Sequence, residues 1–256
     1  MKQNEKTVTF NEKDLKGSRL RCMMLTSAPD RQVAKVLSNL IYPFATVATS
    51  DVWMPRGFQK PDEAKLGESR GFLSNKHQET ITAWWLKKRG KANTPNWDIA
   101  STCTFRGRKG IVLVEAKAHQ EEFKVKGDNC GSENIDNQIQ IKSAISEAKH
   151  ALNADPQTCF SGWSLSDSGS YQLSNRFSWA WKLASLGIPV ILVYLGFLNA
   201  AEMAGTILTS TEQWHDCVVE RSKGIVPAEV WDRSLQIGKV PLIPLIRALD
   251  VNVSVS

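Results

Sequence analysis

The chain has 256 residues, 42% of them hydrophobic and nine of them tryptophan, which suits one large domain, or a core with appendages, around a sizeable buried interior. A net charge of +6 leans mildly toward a polyanionic partner, although many basic proteins bind no nucleic acid. Five cysteines without CxxC spacing read as reduced thiols and argue against zinc, and neither a signal peptide nor a membrane anchor is indicated, so the expectation is a cytoplasmic protein with no membrane partner.

Residues 1 to 20 are polar and read as peripheral. From Pro29 to Tyr42 the spacing predicts a short helix with Val33, Val36, Leu37 and Leu40 inward. Residues 43 to 74 carry three prolines and scattered charge and read as an irregular wrap over the core, because Trp53, Phe58 and Phe72 need cover. A helix is predicted over 75 to 89, where Ile81, Trp84, Trp85 and Lys88 recur at helical spacing and Asn75 with Gln78 forms a capping-box variant. Two strand-like runs follow, 97 to 105 and 110 to 118, joined by Arg106-Gly107-Arg108-Lys109. That is polar turn chemistry with a glycine, so the pair reads as an antiparallel hairpin.

Beyond the hairpin, Glu121 to Asn134 reads as a polar loop. Ile135 to Leu152 reads as a helix with Ile135, Ile139, Ile145, Ala148 and Leu152 inward. Ser161 to Ser170 is a serine-rich surface loop by composition. Tyr171 to Leu186 is amphipathic, with Leu173, Phe177, Ala180, Trp181 and Ala184 on the packing stripe and Gln172, Asn175, Arg176 and Trp179 on the other side. Asn175 is expected on a solvated polar face. Gly187 stops that helix, and Ile188 to Leu198 reads as a strand, too short at eleven residues to cross a bilayer as a helix. Thr211 to Leu249 looks like an appended helical and loop segment, and no repeat stands out.

Chemistry concentrates on the hairpin. With the loop centred between Gly107 and Arg108, Phe105 faces Gly110, Ala100 faces Glu115 and Asp98 faces Lys117. Side chains alternate along a strand, so Asp98, Glu115 and Lys117 would share one face. Opposed pairs sit about 5 Å apart at Cβ, within reach of one ion and its waters. A slip of one residue would turn Asp98 to the other face. Ile111-Val112-Leu113-Val114 looks like a strand covered on both faces, yet it runs straight into Glu115 and Lys117, and burying unpaired charge is costly. Either Asp98 pairs with Lys117 across the strands while Glu115 is solvated, or the three line a cleft and meet a cation and a polyanion. Spacing alone leaves those two readings level.

Asp98 on one strand followed by Glu115-Ala116-Lys117 on the next resembles the PD-(D/E)XK, or restriction-endonuclease-like, nuclease superfamily. The order of elements from about residue 70 to 200 is similar to that superfamily's core as well. Two features depart from the pattern: Trp97 stands where a proline often precedes the aspartate, and little room for a strand exists between Gly90 and Trp97. The resemblance implies an α/β fold with a mixed β-sheet flanked by helices, in which residues 1 to 70 form an extension packed on a core of 71 to 200 and 201 to 256 an appendage. It also implies Mg²⁺, with Mn²⁺ able to substitute, held by Asp98, Glu115 and the backbone carbonyl of Ala116. Lys117 would orient the attacking water or stabilise the transition state.

Glu79 on the first helix would be a fourth member of the site, although its position in the first helical turn also suits interaction with the helix N-terminus. Gln172 and Arg176 on the later helix are the candidates for phosphate or water contacts. Lys87 and Lys88 with Arg89 and Lys91, and Arg106, Arg108 and Lys109 on the turn, would track phosphates on either side of the cleft.

The function implied is Mg²⁺-dependent hydrolysis of nucleic acid, DNA in preference to RNA, abolished by Asp98→Ala, Glu115→Ala or Lys117→Ala with the fold retained. A homodimer is left open. A non-catalytic nucleic-acid-binding or assembly module on the same fold is the alternative, and hydrolysis of another phosphodiester a third. Other chemistries lack their motifs: there is no G-x-S-x-G, P-loop, dinucleotide fingerprint or H-E-x-x-H, and His77, His119, His150 and His215 lack metal-ligand spacing.

Overall fold

A computed structural model describes residues 16–88, 92–123, 129–154, 160–203 and 205–251. In chain order its elements begin with α1 (Gly17–Ser27), α2 (Asp30–Ile41), β1 (Trp53–Met54), β2 (Ala64–Lys65), α3 (Asn75–Trp85) and β3 (Asn96–Trp97). The motif hairpin is β4 (Ile99–Phe105) and β5 (Arg108–Lys117), followed by α4 (Ile135–Ala154), α5 (Tyr171–Ser185) and β6 (Val190–Leu198). The chain then forms α6 (Thr211–Ser222), β7 (Leu235–Ile237) and β8 (Val240–Asp250).

Aliphatic and β-branched runs make the sheet, a six-stranded one in the order β1-β4-β5-β6-β8-β7, while β2 and β3 pair as a separate ribbon. β5, β6 and β8 are mutually parallel, and the outer pairings β1 with β4, β4 with β5, and β7 with β8 are antiparallel. The result is an α/β fold with a mixed sheet flanked by helices. The middle of β5, Ile111 to Val114, and most of β6 are apolar, in keeping with cover on both faces. Ile111, Leu113, Leu192 and Tyr194 face the core shared with α3, α4, α5 and α6. Val112, Val114, Ile191 and Val193 face the core shared with α1 and α2.

The hairpin forms in a register two residues from the predicted one: Phe105 faces Arg108, Ala100 faces Leu113 and Ile99 faces Val114. The cause is the turn. Arg106 and Gly107 both adopt positive φ, 45° and 77°, as a two-residue type I′ turn requires, so the chain reverses one residue earlier than a loop centred after Gly107. An even shift leaves every side chain on its predicted face.

Other expectations change more. The segment expected to be an appendage contains β8, which lies between β6 and β7, so 201 to 256 is not separable from the core. The N-terminal segment is equally integral: residues 1–15 lie outside the described residues, but α1 buries Leu20, Cys22 and Met23 in packing against β5. Helix α3 is capped by Ser74, whose Oγ accepts from the His77 amide at 3.3 Å, and it ends at Trp85, leaving Lys88 outside it. On α4 the inward face is Ile141, Ala144, Ile145, Ala148 and Leu152, while Ile135 and Ile139 are exposed. The polar side of α5 is not solvated either, since Asn175, Arg176 and Trp179 are all buried. Among the described residues no helix is long and apolar enough to cross a membrane.

Candidate active site

At the end of β5, alternation sends Glu115 and Lys117 to the face covered by α5, and Ala116 to the face covered by α1. Pairing of β4 with β5 stops at Ile99 opposite Val114, and the chain bends at Asp98 between β3 and β4. Ile99 faces the α1 side and Ala100 the α5 side, but alternation ends at the bend, since Trp97 again joins the α5-side core; Asp98 lies at that bend with its charge felt by Glu115, Lys117 and, on α1, Cys22. The Asp98 carboxylate reaches the edge of β5 that β4 leaves unpaired, where its Oδ2 accepts from the Ala116 amide at 2.7 Å.

Helix α5 completes the cluster. Arg176 Nε donates to Glu115 Oε2 at 2.6 Å and its Nη1 to Asn175 Oδ1 at 3.0 Å, while its guanidinium lies 4.5 Å from the centre of the Trp97 ring. Lys117 Nζ donates to the other oxygen of Glu115, Oε1. Glu115 is thus held between two cations at 1% exposure, with Lys117 at 7% and Arg176 at 8%. The cross-strand Asp98–Lys117 pair with a solvated Glu115 is not what forms. Lys117 pairs with its strand neighbour and not with Asp98, and Glu115 is buried.

The two carboxylates are driven apart in acidity. Burial and the charge of Glu115 push Asp98 up to about 7, against the pull of Lys117 and with a further push from Glu63. Burial works against the Glu115 carboxylate too, but Arg176 and Lys117 outweigh it and hold that group below its ordinary value. Lys117 and Arg176 are held above theirs: burial disfavours their charge, and Glu115 and Asp98 more than compensate.

Sequence reasoning missed three residues around this cluster. Glu63, from the irregular wrap, accepts from Asn96 Nδ2 at 3.0 Å next to the bend. Glu122 accepts from the Ala118 amide at 2.5 Å just past the end of β5. Tyr194 is the register partner of Glu115 on β6, fully buried, and its hydroxyl has no hydrogen-bond partner among the described residues. Its position after an apolar run was the available signal for Tyr194; nothing local marked Glu63 or Glu122.

Other predicted site residues separate into those near the cluster and those far from it. Gln172 is half-buried on α5, one turn before Arg176. Glu79 is exposed on α3 and does not join the hydrogen-bonded cluster; its neighbour Gln78 turns inward instead, donating to the carbonyls of Leu66 and Ser69. Lys88 pairs with Asp136 at 2.5 Å, with Lys87 exposed beside it, and Arg89 and Lys91 lie outside the described residues. Arg106, Arg108 and Lys109 are at the opposite end of β5, roughly 23 Å from Glu115 at the rise of a strand, so they do not flank the cluster. A hairpin necessarily puts its turn at the far end from its open end.

A cleft of about 630 Å³ opens between the end of α3 and the starts of α4 and α5, with Asn175 and Arg176 on its inner wall. Asp98, Glu115 and Lys117 do not line it, so Arg176 stands between cleft and acids. Two carboxylates and a backbone carbonyl are hard oxygen donors of the kind Mg²⁺ takes alongside several waters. Burial and the Glu115 charge make Asp98 a weaker acid, and a divalent cation between the two carboxylates would relieve that repulsion, although both oxygens of Glu115 are engaged by Lys117 and Arg176. Among the described residues there is no group of three or more His, Cys, Asp or Glu side chains placed to hold a metal. Compared with protein-family models, curated proteins and solved structures, the chain gives no significant match to any of them.

Proposed function

We propose that this protein is a Mg²⁺-dependent nuclease with a restriction-endonuclease-like core, acting on DNA in preference to RNA. The observation that carries this reading is the convergence of Asp98, Glu115 and Lys117 at the end of β5, where Asp98 accepts from the Ala116 amide and interacts with both charges, backed by Arg176. Asp98, Glu115 and the Ala116 carbonyl would hold the ion, which supplies an activated water and neutralises charge on the scissile phosphate.

The protein's own groups do the positioning. Arg176 fixes the Glu115 carboxylate through its Oε2, while Lys117 holds Oε1 and would leave it to meet a substrate. Lys117 is held charged by its surroundings, so on leaving Glu115 it offers a fixed positive charge to a phosphate oxygen or to the attacking water. Asp98 must lose its proton to act as a ligand, and it does so close to neutral pH.

Purified protein with Mg²⁺ or Mn²⁺, assayed on duplex, nicked and single-stranded DNA, tests the proposal. Cleavage is expected, and Asp98→Asn, Glu115→Gln and Lys117→Ala are each expected to lower it by about a hundredfold or more, in the range for loss of a charge-stabilising group. Stripping one partner from a buried ion pair costs about 3–5 kcal/mol, and Glu115→Gln, which keeps the side chain's shape, removes the charge opposite Lys117 and Arg176 as Glu115→Ala does, so the Tm of each variant is measured beside its activity. Intact DNA under all these conditions sinks the proposal.

The alternative of a non-catalytic binding module draws on one observation: both oxygens of Glu115 are already engaged. In that case Lys117→Ala would change affinity and its salt dependence, with no turnover to lose.

A further inference from the structure

We infer that the cleft beside Arg176 receives one unstacked nucleotide, so that the substrate is single-stranded or locally opened nucleic acid and not intact duplex. This deepens the nuclease reading and rests on it for the chemistry, although binding can be measured without cleavage.

Size is the first argument. The cleft holds about 630 Å³, within the roughly 300–1,000 Å³ of pockets that enclose a small molecule. Bases stacked in a duplex present only their edges and cannot enter a concave site, whereas an extruded or unpaired base can.

The walls are the second argument. Half-buried Tyr171 gives aromatic surface over the buried Trp85 and Leu86, and Asn93 and Asn134 give amides, with Asn175 held by Arg176 at the inner wall. A base has the same division, with flat faces that stack and polar edges that hydrogen-bond, and amide side chains offer a donor and an acceptor together. Asn93 is exposed, and Asn134 spends its carbonyl oxygen capping α4 through the Asn137 amide at 3.1 Å, which leaves its NH₂ group as a donor. Lys88 on the wall is paired with Asp136 at 2.5 Å, and Glu133 adds an acid to the wall. A neutral base suits that lining better than a second phosphate.

Connection to the cluster is the third. Arg176 lines the cleft while its Nε is fixed on Glu115 and its ring-facing side on Trp97, so the guanidinium cannot swing away. A base in the cleft would therefore bring its own phosphate to the Arg176 side, where Lys117 lies across Glu115.

Fluorescence anisotropy in EDTA, with a labelled single strand of about 12 nucleotides and the same sequence as a blunt duplex, tests the inference. The single strand is expected to bind more tightly by about tenfold, the order of effect that one stacked base carries. Ala92→Trp, which fills the cleft from its wall, is expected to abolish that preference; should it fail to fold, Asn93→Leu is expected to weaken single-strand binding selectively. RNA of the same sequence separates the sources of the nucleotide: comparable binding supports the cleft and removes a sugar preference. Equal or tighter duplex binding, no binding of either strand, or a preference that survives both variants overturns the inference. Single-strand binding without metal-dependent cleavage would uphold the cleft and fail the nuclease reading alone.

Discussion

Glu115 and Asp98 are neighbouring carboxylates given opposite treatment by their surroundings. Glu115 has a cation on each oxygen; Asp98 has a single backbone amide and the repulsion of its neighbour. Pairs pushed apart in this way are a common mark of functional sites, because one group can stay charged while the other exchanges a proton. The consequence for stability has a definite sign. Asp98 is raised on folding from its ordinary value to about 7, so the folded state binds its proton more tightly than the unfolded chain. Its contribution is greatest at low pH and is lost as pH rises through about 7. Asp98→Asn, which cannot charge, is therefore expected to gain stability relative to the wild type between pH 5 and pH 8 in EDTA, measured as the difference in Tm. A difference that is flat or falls with pH would show that Asp98 is not repelled in the folded protein. The triad was legible at this scale from spacing and charge type. Arg176 was legible as a candidate, but its burial was not, because the guanidinium is charge-compensated by a residue 61 positions away.

The hairpin shows why an imperfect register still brought Glu115 and Lys117 to one face with Asp98 near them. Side chains on a strand repeat every two residues, so the shift from Asp98 opposite Lys117 to Ile99 opposite Val114 preserved faces while changing partners. The basic turn does not flank the acidic cluster for the equally simple reason that β5 is a long strand with its acids at the other end. Helix α5 misled by composition: Asn175 and Arg176 look like a solvated face, and they are buried because the cluster and the cleft lie against them. On β6, Gly196 pairs with Lys117 and lies beneath Trp214 of α6, where an added Cβ would come within 2.6 Å of the indole. Trp214 also donates from Nε1 to the Tyr194 carbonyl at 3.0 Å. Gly196→Ala is therefore expected to displace Trp214 and cost about 1–3 kcal/mol by urea unfolding, as overpacking of a filled core does. An unchanged unfolding midpoint would mean that α6 is not seated on β6 as described.

For the molecule as a whole, the mixed sheet and its flanking helices followed from the apolar runs, while its extent did not. Pro241 and Pro244 made the last strand read as loop, yet β8 pairs along its length with β6, and β7 covers only Val240 to Leu242 on its other side. Past Leu242 that outer edge is open, which is where a strand tolerates a proline such as Pro244. Likewise α1 hid behind a buried arginine, Arg21, whose charge is met by Glu202 far along the chain, a pairing that no local pattern contains. These additions bracket the sheet and hold the end of β5 in place between α1 on one face and α5 on the other. The central claim is that the two acids at that end jointly take a divalent cation. Isothermal titration of Mn²⁺ into the wild type and Asp98→Asn tests it most directly. One saturable site in the wild type, weakened by about tenfold or more in the variant, is expected; equal binding by both proteins, or none by the wild type, would contradict it.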